Sequence, residues 1–286
     1  MALLGLTNTP ALRMETYGPQ IVPISTVNST FGSQNSAIFF AKSSTGQPGS
    51  FTNLGLVTST SSANNYNAIV SASRKLTNVI SRPLIQSNAL NLLGPIITLT
   101  NFFLHPKSLN RYGYKKDYGN LVQKLTNFIT DGGNWLLSLG SFWTGIKEMT
   151  LSPSTGKLAS STVTSLAQRT ANGGAIEASV IYKHGSFYYL FTSWDKCCQG
   201  TSSTYNIRVG RSTSPTSGFV DQAGVALTSG GGTLVLGTHD NIVGPGGQDL
   251  MDDADGPILV YHYYTSAGSF LGINRLDFSS GWPVVV

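Results

Sequence analysis

The chain has 286 residues, of which only 11% are charged and 32 are glycine. Glutamate occurs three times, so long surface helices are not expected, and the composition favours one large all-β domain. The net charge is +5, but residues 70–130 hold eight Lys and Arg against one acid, and the rest holds ten bases against twelve acids. This confined excess argues against a nucleic-acid-binding surface.

The N-terminal thirty residues are too irregular to assign to elements. They begin MALLGLTNTP, a short apolar run without basic residues before it, so we expect no signal peptide in this chain. The single glycosylation sequon, Asn28-Ser29-Thr30, hints at secretion. Strands are predicted at Ser36–Lys42 and Phe51–Thr58, separated by a turn over 43–49.

Residues 70–130 interrupt this turn-and-strand rhythm. Their most apolar part, Leu90–Leu104, carries Pro95 and several Asn and Thr residues and is short for a bilayer span. We therefore interpret 70–130 as a loop or foreign insertion into a single domain spanning 1–286, such as a translated intron beginning at Val70-Ser71, and not as a membrane anchor.

Three later units repeat a turn followed by an aromatic-rich strand. The turns are Asp131–Asn134, His184–Ser186 and Asp255–Pro257, and the strands read WLLSLGSF, FYYLFTSW and ILVYHYYT. Such repetition every 50 to 75 residues predicts the blades of a β-propeller, although a sandwich with irregular hairpins fits the pattern as well. Further strands are predicted at Ile146–Leu151, Tyr205–Arg211 and Leu271–Phe278.

A tight hairpin joins Ala178–Lys183 to Ser186–Ser193, and Glu177 opens its first strand. This carboxylate follows a glycine-bearing loop and has no Lys or Arg within five residues. Such surroundings favour the protonated carboxyl group that a general acid requires, whereas the simpler alternative is a solvated glutamate at a strand end.

Other polar residues give weaker indications. Cys197 and Cys198 are adjacent, which leaves either a vicinal disulfide or two thiols open. Asp252, Asp253 and Asp255 lack the spacing of a calcium loop, so a turn is the better interpretation. His184 and His262 are assigned no role.

Five motifs carry a resemblance to a known family. They are Ser33–Ile38, Tyr66–Ile69, Gly140–Ile146, Ala175–Ser179 and Gly237–Asn241. Around them the chain resembles glycoside hydrolase family 43, most closely its fungal endo-1,5-α-L-arabinanases, over residues 27–69 and 131–286. The resemblance implies a five-bladed β-propeller with a substrate groove across its axis, whose first blade is incomplete or missing in this chain.

The resemblance also implies an inverting mechanism in which Glu177 is the general acid. A second carboxylate, about 6.5–9.5 Å away, would activate water on the opposite face of the sugar. Substrate-binding residues implied by the motifs are Asn67, Ser141, Phe142, Trp143 and His239. His239 matches an axial histidine near a bound water or ion such as calcium, and no cofactor is required. Trp143 as a core residue and His239 as a buried structural histidine are the alternatives.

Two family carboxylates have no counterpart in the sequence. Before Asp117 the only acid is Glu15, so the base aspartate of the N-terminal blade is missing. The orienting aspartate should follow Ile69, where the chain has Val70. We therefore expect this chain to be impaired as a catalyst.

The leading hypothesis is a secreted, monomeric hydrolase that cuts α-1,5-linked arabinan of plant pectin internally. An exo-acting arabinofuranosidase or xylosidase of the same family is the alternative among enzymes. A non-catalytic carbohydrate-binding propeller is the alternative outside enzymes. Arabinan or its oligosaccharides would be the partner, with no nucleic acid and no membrane.

Overall fold

A computed structural model describes residues 20–27, 35–43, 52–69, 74–75, 124–125, 128–131, 133–253 and 256–286. The predicted turns at 44–49 and at Asp255, and the interior of the 70–130 segment with Asp117, lie outside the described residues. Within them no helix has the length and apolar character needed to cross a bilayer.

The described residues form five antiparallel sheets that follow one another along the chain. The first contains β1 Gln20–Val27, β2 Ser36–Ser43 and β3 Thr52–Thr60. The second contains β4 Arg74–Lys75 and β5 Lys124–Leu125. The third contains β6 Phe128–Asp131, β7 Asn134–Leu139, β8 Ile146–Leu151 and β9 Thr164–Ala167. The fourth contains β10 Ile176–His184, β11 Phe187–Trp194, β12 Asn206–Ser212 and β13 Thr233–Leu236. The fifth contains β14 Val243–Asp253, β15 Gly256–Thr265, β16 Gly268–Asp277 and β17 Val284–Val285.

Strand order in every sheet equals chain order, so each sheet is a meander like a propeller blade. The first sheet has three described strands where the last three sheets have four each. Strands β4 and β5 and most of β6 fall inside the predicted insertion at 70–130. Its ends therefore take part in the sheets, and the boundary of the third blade lies a few residues earlier than Asp131.

Three apolar clusters hold neighbouring sheets together. One joins the fourth sheet to the fifth through residues such as Phe191 and Leu259, both fully buried. A second joins the first sheet to the third through Ile38 and Leu137, and a third joins the third sheet to the fourth. Full burial of each such side chain contributes roughly 1.5–3 kcal/mol. The blades are thus held by face-to-face packing, which fixes the ends of their strands relative to one another.

The predicted strands in the better-patterned parts are confirmed. Ile146–Leu151 and the FYYLFTSW strand match β8 and β11 residue for residue. The predicted hairpin is β10 paired with β11, with His184 opposite Phe187. Gly185 has φ of 58° in the connecting turn, a conformation that glycine adopts without strain.

Glu148 is a carboxylate buried among these apolar groups. It lies on β8, is 3% exposed, and its Oε2 has no hydrogen-bond partner among the described residues. Burial raises the pKa of Glu148 to about 8 because the charged form loses its hydration. The side chain is consequently neutral in the folded protein at neutral pH.

Candidate active site

Glu177 lies at the start of β10, directly after the turn Asn172–Gly174. Its two carboxylate oxygens are both hydrogen-bonded. Ser141 Oγ donates to Oε2 at 2.8 Å, and the Tyr205 hydroxyl donates to Oε1 at 2.8 Å. The carboxyl group is therefore held in one orientation by two hydroxyls that come from different parts of the chain.

The turn after β7 brings Ser141 to this position. Phe142 and Trp143 both have positive φ, 57° and 44°, so the chain folds back tightly here. The Phe142 N–H donates to the Ile176 carbonyl at 2.8 Å, which ties the turn to the residue preceding Glu177. Ser141 is 4% exposed, while the Phe142 and Trp143 rings are partly exposed and meet edge-to-face at 6.5 Å. Two partly exposed aromatic residues thus directly follow the serine that holds the carboxylate.

Tyr205 is a buried hydrogen-bond donor, 3% exposed. Burial and then the charge of Glu177 raise the pKa of Tyr205, although a hydrogen bond with Ser193 opposes the shift. The phenol consequently stays protonated. Gly246 packs against the ring so closely that a Cβ there would lie 2.1 Å from it. The glycine-rich start of β14 is what allows Tyr205 to sit beside Glu177.

The structure places His262, for which the sequence predicted no role, beside Tyr205. Its ring lies 5.7 Å from that of Tyr205 and 5.4 Å from that of Tyr264. Burial lowers the pKa of His262 to about 4, so the imidazole is neutral. A Cβ on Gly247 would lie 2.8 Å from its Nδ1, so the imidazole fills the space that a side chain at Gly247 would need.

The two cysteines, left open by the sequence, form a disulfide between Cys197 and Cys198. The N–H of Cys198 donates to the Tyr264 hydroxyl at 3.1 Å. The loop continues to Thr204, whose N–H donates to the Lys196 carbonyl at 2.9 Å. The disulfide thus lies in the loop that leads into Tyr205 and contacts the aromatic group around His262.

Asp195 binds the turn Asn172–Gly174, which precedes Glu177 in the chain. It accepts a hydrogen bond from Asn172 Nδ2 at 2.7 Å and pairs with the Arg169 guanidinium at 2.7 Å. The Arg169 guanidinium also stacks 4.4 Å from the Trp194 ring centre. Because Arg169 and Asp195 are both largely buried, the pair is shielded from solvent and orders the turn before β10.

Asn67 lies close to the same turn through the backbone. Gly140 N–H donates to the Ile69 carbonyl at 2.8 Å, and Thr144 N–H donates to the Asn65 carbonyl at 3.1 Å. Asn67 is 2% exposed, and its Oδ1 has no hydrogen-bond partner in the described parts of the chain. The segment 65–69 therefore ends next to the turn that carries Ser141, and Val70 lies outside the described residues.

His239 is the last of the substrate-binding residues that the motifs predicted. It is exposed in the turn before β14, and its Nδ1 is 2.9 Å from the Gly237 carbonyl. None of the hydrogen bonds found for the described residues joins it to Glu177. The described ranges contain no group of three His, Cys, Asp or Glu side chains able to hold a metal. The substrate and ion contacts predicted for His239 stay predictions.

A comparison with family models matches residues 126–283 to glycosyl hydrolases family 43. The probable arabinan endo-1,5-α-L-arabinosidase A of Aspergillus terreus is 45% identical over 172 residues. That alignment covers 56% of this chain and 51% of the relative. The chain therefore spans about half the length of this relative.

Two solved structures are similar over most of the described fold. The GH43 endo-arabinanase from Bacillus licheniformis is 33% identical with a TM-score of 0.65, covering 89% of this chain and 69% of its own. The Cellvibrio cellulosa α-L-arabinanase complexed with arabinohexaose is 25% identical with a TM-score of 0.68, covering 94% of this chain and 74% of its own. These neighbours are five-bladed β-propellers, which confirms the predicted fold class.

Proposed function

This chain belongs to glycosyl hydrolase family 43, and on that premise we propose that its protein hydrolyses α-1,5-linked L-arabinan. It cuts internal linkages by an inverting mechanism. The names of the Aspergillus terreus relative and of the Bacillus licheniformis structure support this substrate and the endo mode, and the arabinohexaose complex supports an extended oligosaccharide groove.

The observation that carries the proposal is the carboxyl group of Glu177 held by Ser141 and Tyr205, with two partly exposed aromatic residues directly after Ser141. Glu177 donates its proton to the glycosidic oxygen as that bond breaks, which assists departure of the sugar typically about 100- to 10,000-fold. Tyr205 remains a neutral donor because of its raised pKa, so it stabilises the carboxylate that proton transfer leaves behind.

Substrate rings would rest on the aromatic side of this site. Trp143 and Phe142 present partly exposed faces, on which the apolar face of a furanose ring can stack. Asn67, with a buried amide oxygen that lacks a partner among the described residues, would bind a sugar hydroxyl. His239, with a water or an ion such as calcium, would complete the axial side.

Inversion also needs a base that activates water. The resemblance places an orienting aspartate directly after Ile69. The carbonyl of Ile69 accepts a hydrogen bond from the N–H of Gly140, the residue before Ser141. The sequence has Val70 there and no base aspartate of the N-terminal blade. We therefore expect residues 1–286 alone to bind arabinan but to release little sugar from it.

The protein would act outside the cell as a monomer. Arabinan is a polymer of the plant cell wall, too large to reach an intracellular enzyme. The Cys197–Cys198 disulfide suits an oxidising compartment, and the Asn28 sequon agrees with secretion.

The experiment compares residues 1–286 with a version in which the N-terminal blade is restored and residues 70–123 are replaced by a family-like segment that begins Asp-Pro-Asn, so that β5 and β6 are kept. Both are incubated with linear α-1,5-arabinan, products are separated by chromatography, and their initial anomer is read by proton NMR. A series of oligosaccharides of different lengths, whose new reducing ends first appear with the inverted anomeric configuration, supports the proposal if the restored version releases it. A single short product would instead favour exo action, and binding without release by both would favour a non-catalytic propeller.

A further inference from the structure

The backbone bends sharply directly after Glu177. Ala178 has φ of 55°, a left-handed conformation that costs a residue with a Cβ about 1–2 kcal/mol. The pairing of β10 with β11 also shifts register between Glu177 and Val180, so β10 carries a bulge at this point. Bulges re-aim neighbouring side chains, and this one sets the direction in which Glu177 leaves the strand.

One buried side chain holds the bulge. The Gln248 amide group donates to the Ala178 carbonyl at 2.6 Å, and Gln248 is 1% exposed. Its Oε1 in turn accepts a hydrogen bond from Ser193 Oγ at 2.5 Å. Ser193 Oγ accepts the Gly247 N–H at 2.9 Å, and Ser193 pairs with Glu177 across the sheet. Gln248 thus connects β14 to both strands that carry the site.

We infer that Gln248 is a positioning residue that keeps Ala178 left-handed and thereby aims the Glu177 carboxyl group at the glycosidic oxygen. The inference rests on the proposed function of Glu177. Without the Gln248 amide, the Ala178 carbonyl loses a buried donor, and the bulge relaxes toward an ordinary β conformation. Glu177 then leaves the position in which Ser141 and Tyr205 both reach it.

The expected effect on catalysis is a loss in kcat. Displacement of a reacting group by about 1 Å can cost roughly 100-fold in rate. In the version with the restored N-terminal blade, Gln248→Ala should therefore lower kcat on arabinan by about 10- to 100-fold, while KM changes little because the aromatic surfaces are untouched. Gln222→Ala is the matched control, since Gln222 is exposed, and it should leave kcat unchanged.

A second substitution separates positioning from a general loss of stability. Glycine adopts positive φ without a Cβ penalty. Ala178→Gly should therefore allow the bulge to form without the hydrogen bond from Gln248 to the carbonyl of residue 178. We expect Ala178→Gly alone to stay near wild type, and Gln248→Ala with Ala178→Gly to recover several-fold of the lost kcat. A double variant no better than Gln248→Ala would overturn the inference.

A readout independent of hydrolysis uses the carboxyl carbon of ¹³C-labelled glutamate in residues 1–286. The sequence has three glutamates, Glu15, Glu148 and Glu177, so three resonances are assigned with one Glu→Gln variant each. Gln248→Ala should move the Glu177 resonance alone. In the double variant with Ala178→Gly, this resonance should return toward its wild-type position. An unmoved Glu177 resonance contradicts the inference, even if arabinan hydrolysis itself is never detected and the proposed function fails.

If Gln248→Ala does not fold, Gln248→Met poses the same question, because it keeps a side chain of similar length and removes only the amide group that donates to the Ala178 carbonyl and accepts from Ser193 Oγ. A shift of the Glu177 resonance then supports the inference, and an unchanged resonance refutes it.

Discussion

Glu148→Gln should stabilise the protein in a way that depends on pH. The folded-state pKa of Glu148 is about 8, whereas an exposed glutamate has a pKa of about 4.3. Between these values the folded protein keeps a proton that the unfolded chain releases. The free energy of unfolding therefore falls with rising pH by about 1.4 kcal/mol per pH unit within this window. From pH 4.5 to pH 7 the loss sums to about 3 kcal/mol.

A glutamine side chain cannot ionise, so the variant escapes this loss. The two proteins should have similar stability at pH 4.5, and the variant should gain progressively, by up to about 3 kcal/mol at pH 7. Urea unfolding followed by tryptophan fluorescence at several pH values measures the difference. Asp240→Asn is the control, because Asp240 is exposed. Its free energy of unfolding should depend on pH in the same way as that of the wild type. Parallel pH curves for wild type and Glu148→Gln would refute the reasoning.

Two further substitutions test the surroundings of the site. In the version with the restored N-terminal blade, Tyr205→Phe removes the donor to Glu177 Oε1 and should lower kcat on arabinan about 10- to 100-fold, as expected for a hydrogen bond to a charged group. Unchanged kcat would mean that the phenol is not needed. Arg169→Met should lower the free energy of unfolding by about 1.5–3 kcal/mol, because Asp195 loses its hydrogen-bonded cation and keeps, among the described residues, only Asn172, Asn206 and the charge of Arg208. Lys196→Met is the comparison, because Lys196 is exposed, and an equal effect of both substitutions would contradict the stabilising role of the Arg169–Asp195 pair.

The sequence predicted those strands whose side chains alternate or cluster clearly. β8 and β11 are rich in apolar and aromatic residues, and their predicted bounds agree with the structure to within one residue. β14 was missed because its first half reads Val243-Gly-Pro-Gly-Gly-Gln248, which is typical of a turn. Tertiary packing decides the matter there, since Gly246 and Gly247 are needed against Tyr205 and His262.

The site was predictable only in part. The motif resemblance pointed to Glu177 and Ser141, and the structure places them in hydrogen-bond contact. Tyr205, His262 and Gln248 were not predicted as site residues. Tyr205 lies directly before β12 of the fourth sheet, whereas His262 and Gln248 lie in the fifth sheet. Only the packing between blades brings them together, which no local pattern records.

Proton donation by Glu177 is tested most directly by Glu177→Gln in the version with the N-terminal blade restored and residues 70–123 replaced. Two substrates are compared: linear α-1,5-arabinan, whose leaving sugar needs a proton, and a 2,4-dinitrophenyl arabinotrioside, whose leaving group departs without one. We predict a loss of about 100- to 10,000-fold on arabinan, little loss on the dinitrophenyl substrate and retained arabinan binding. A variant that keeps more than about a tenth of its arabinan hydrolysis, where acid assistance should contribute at least about 100-fold, or that loses both activities equally, would contradict the assignment.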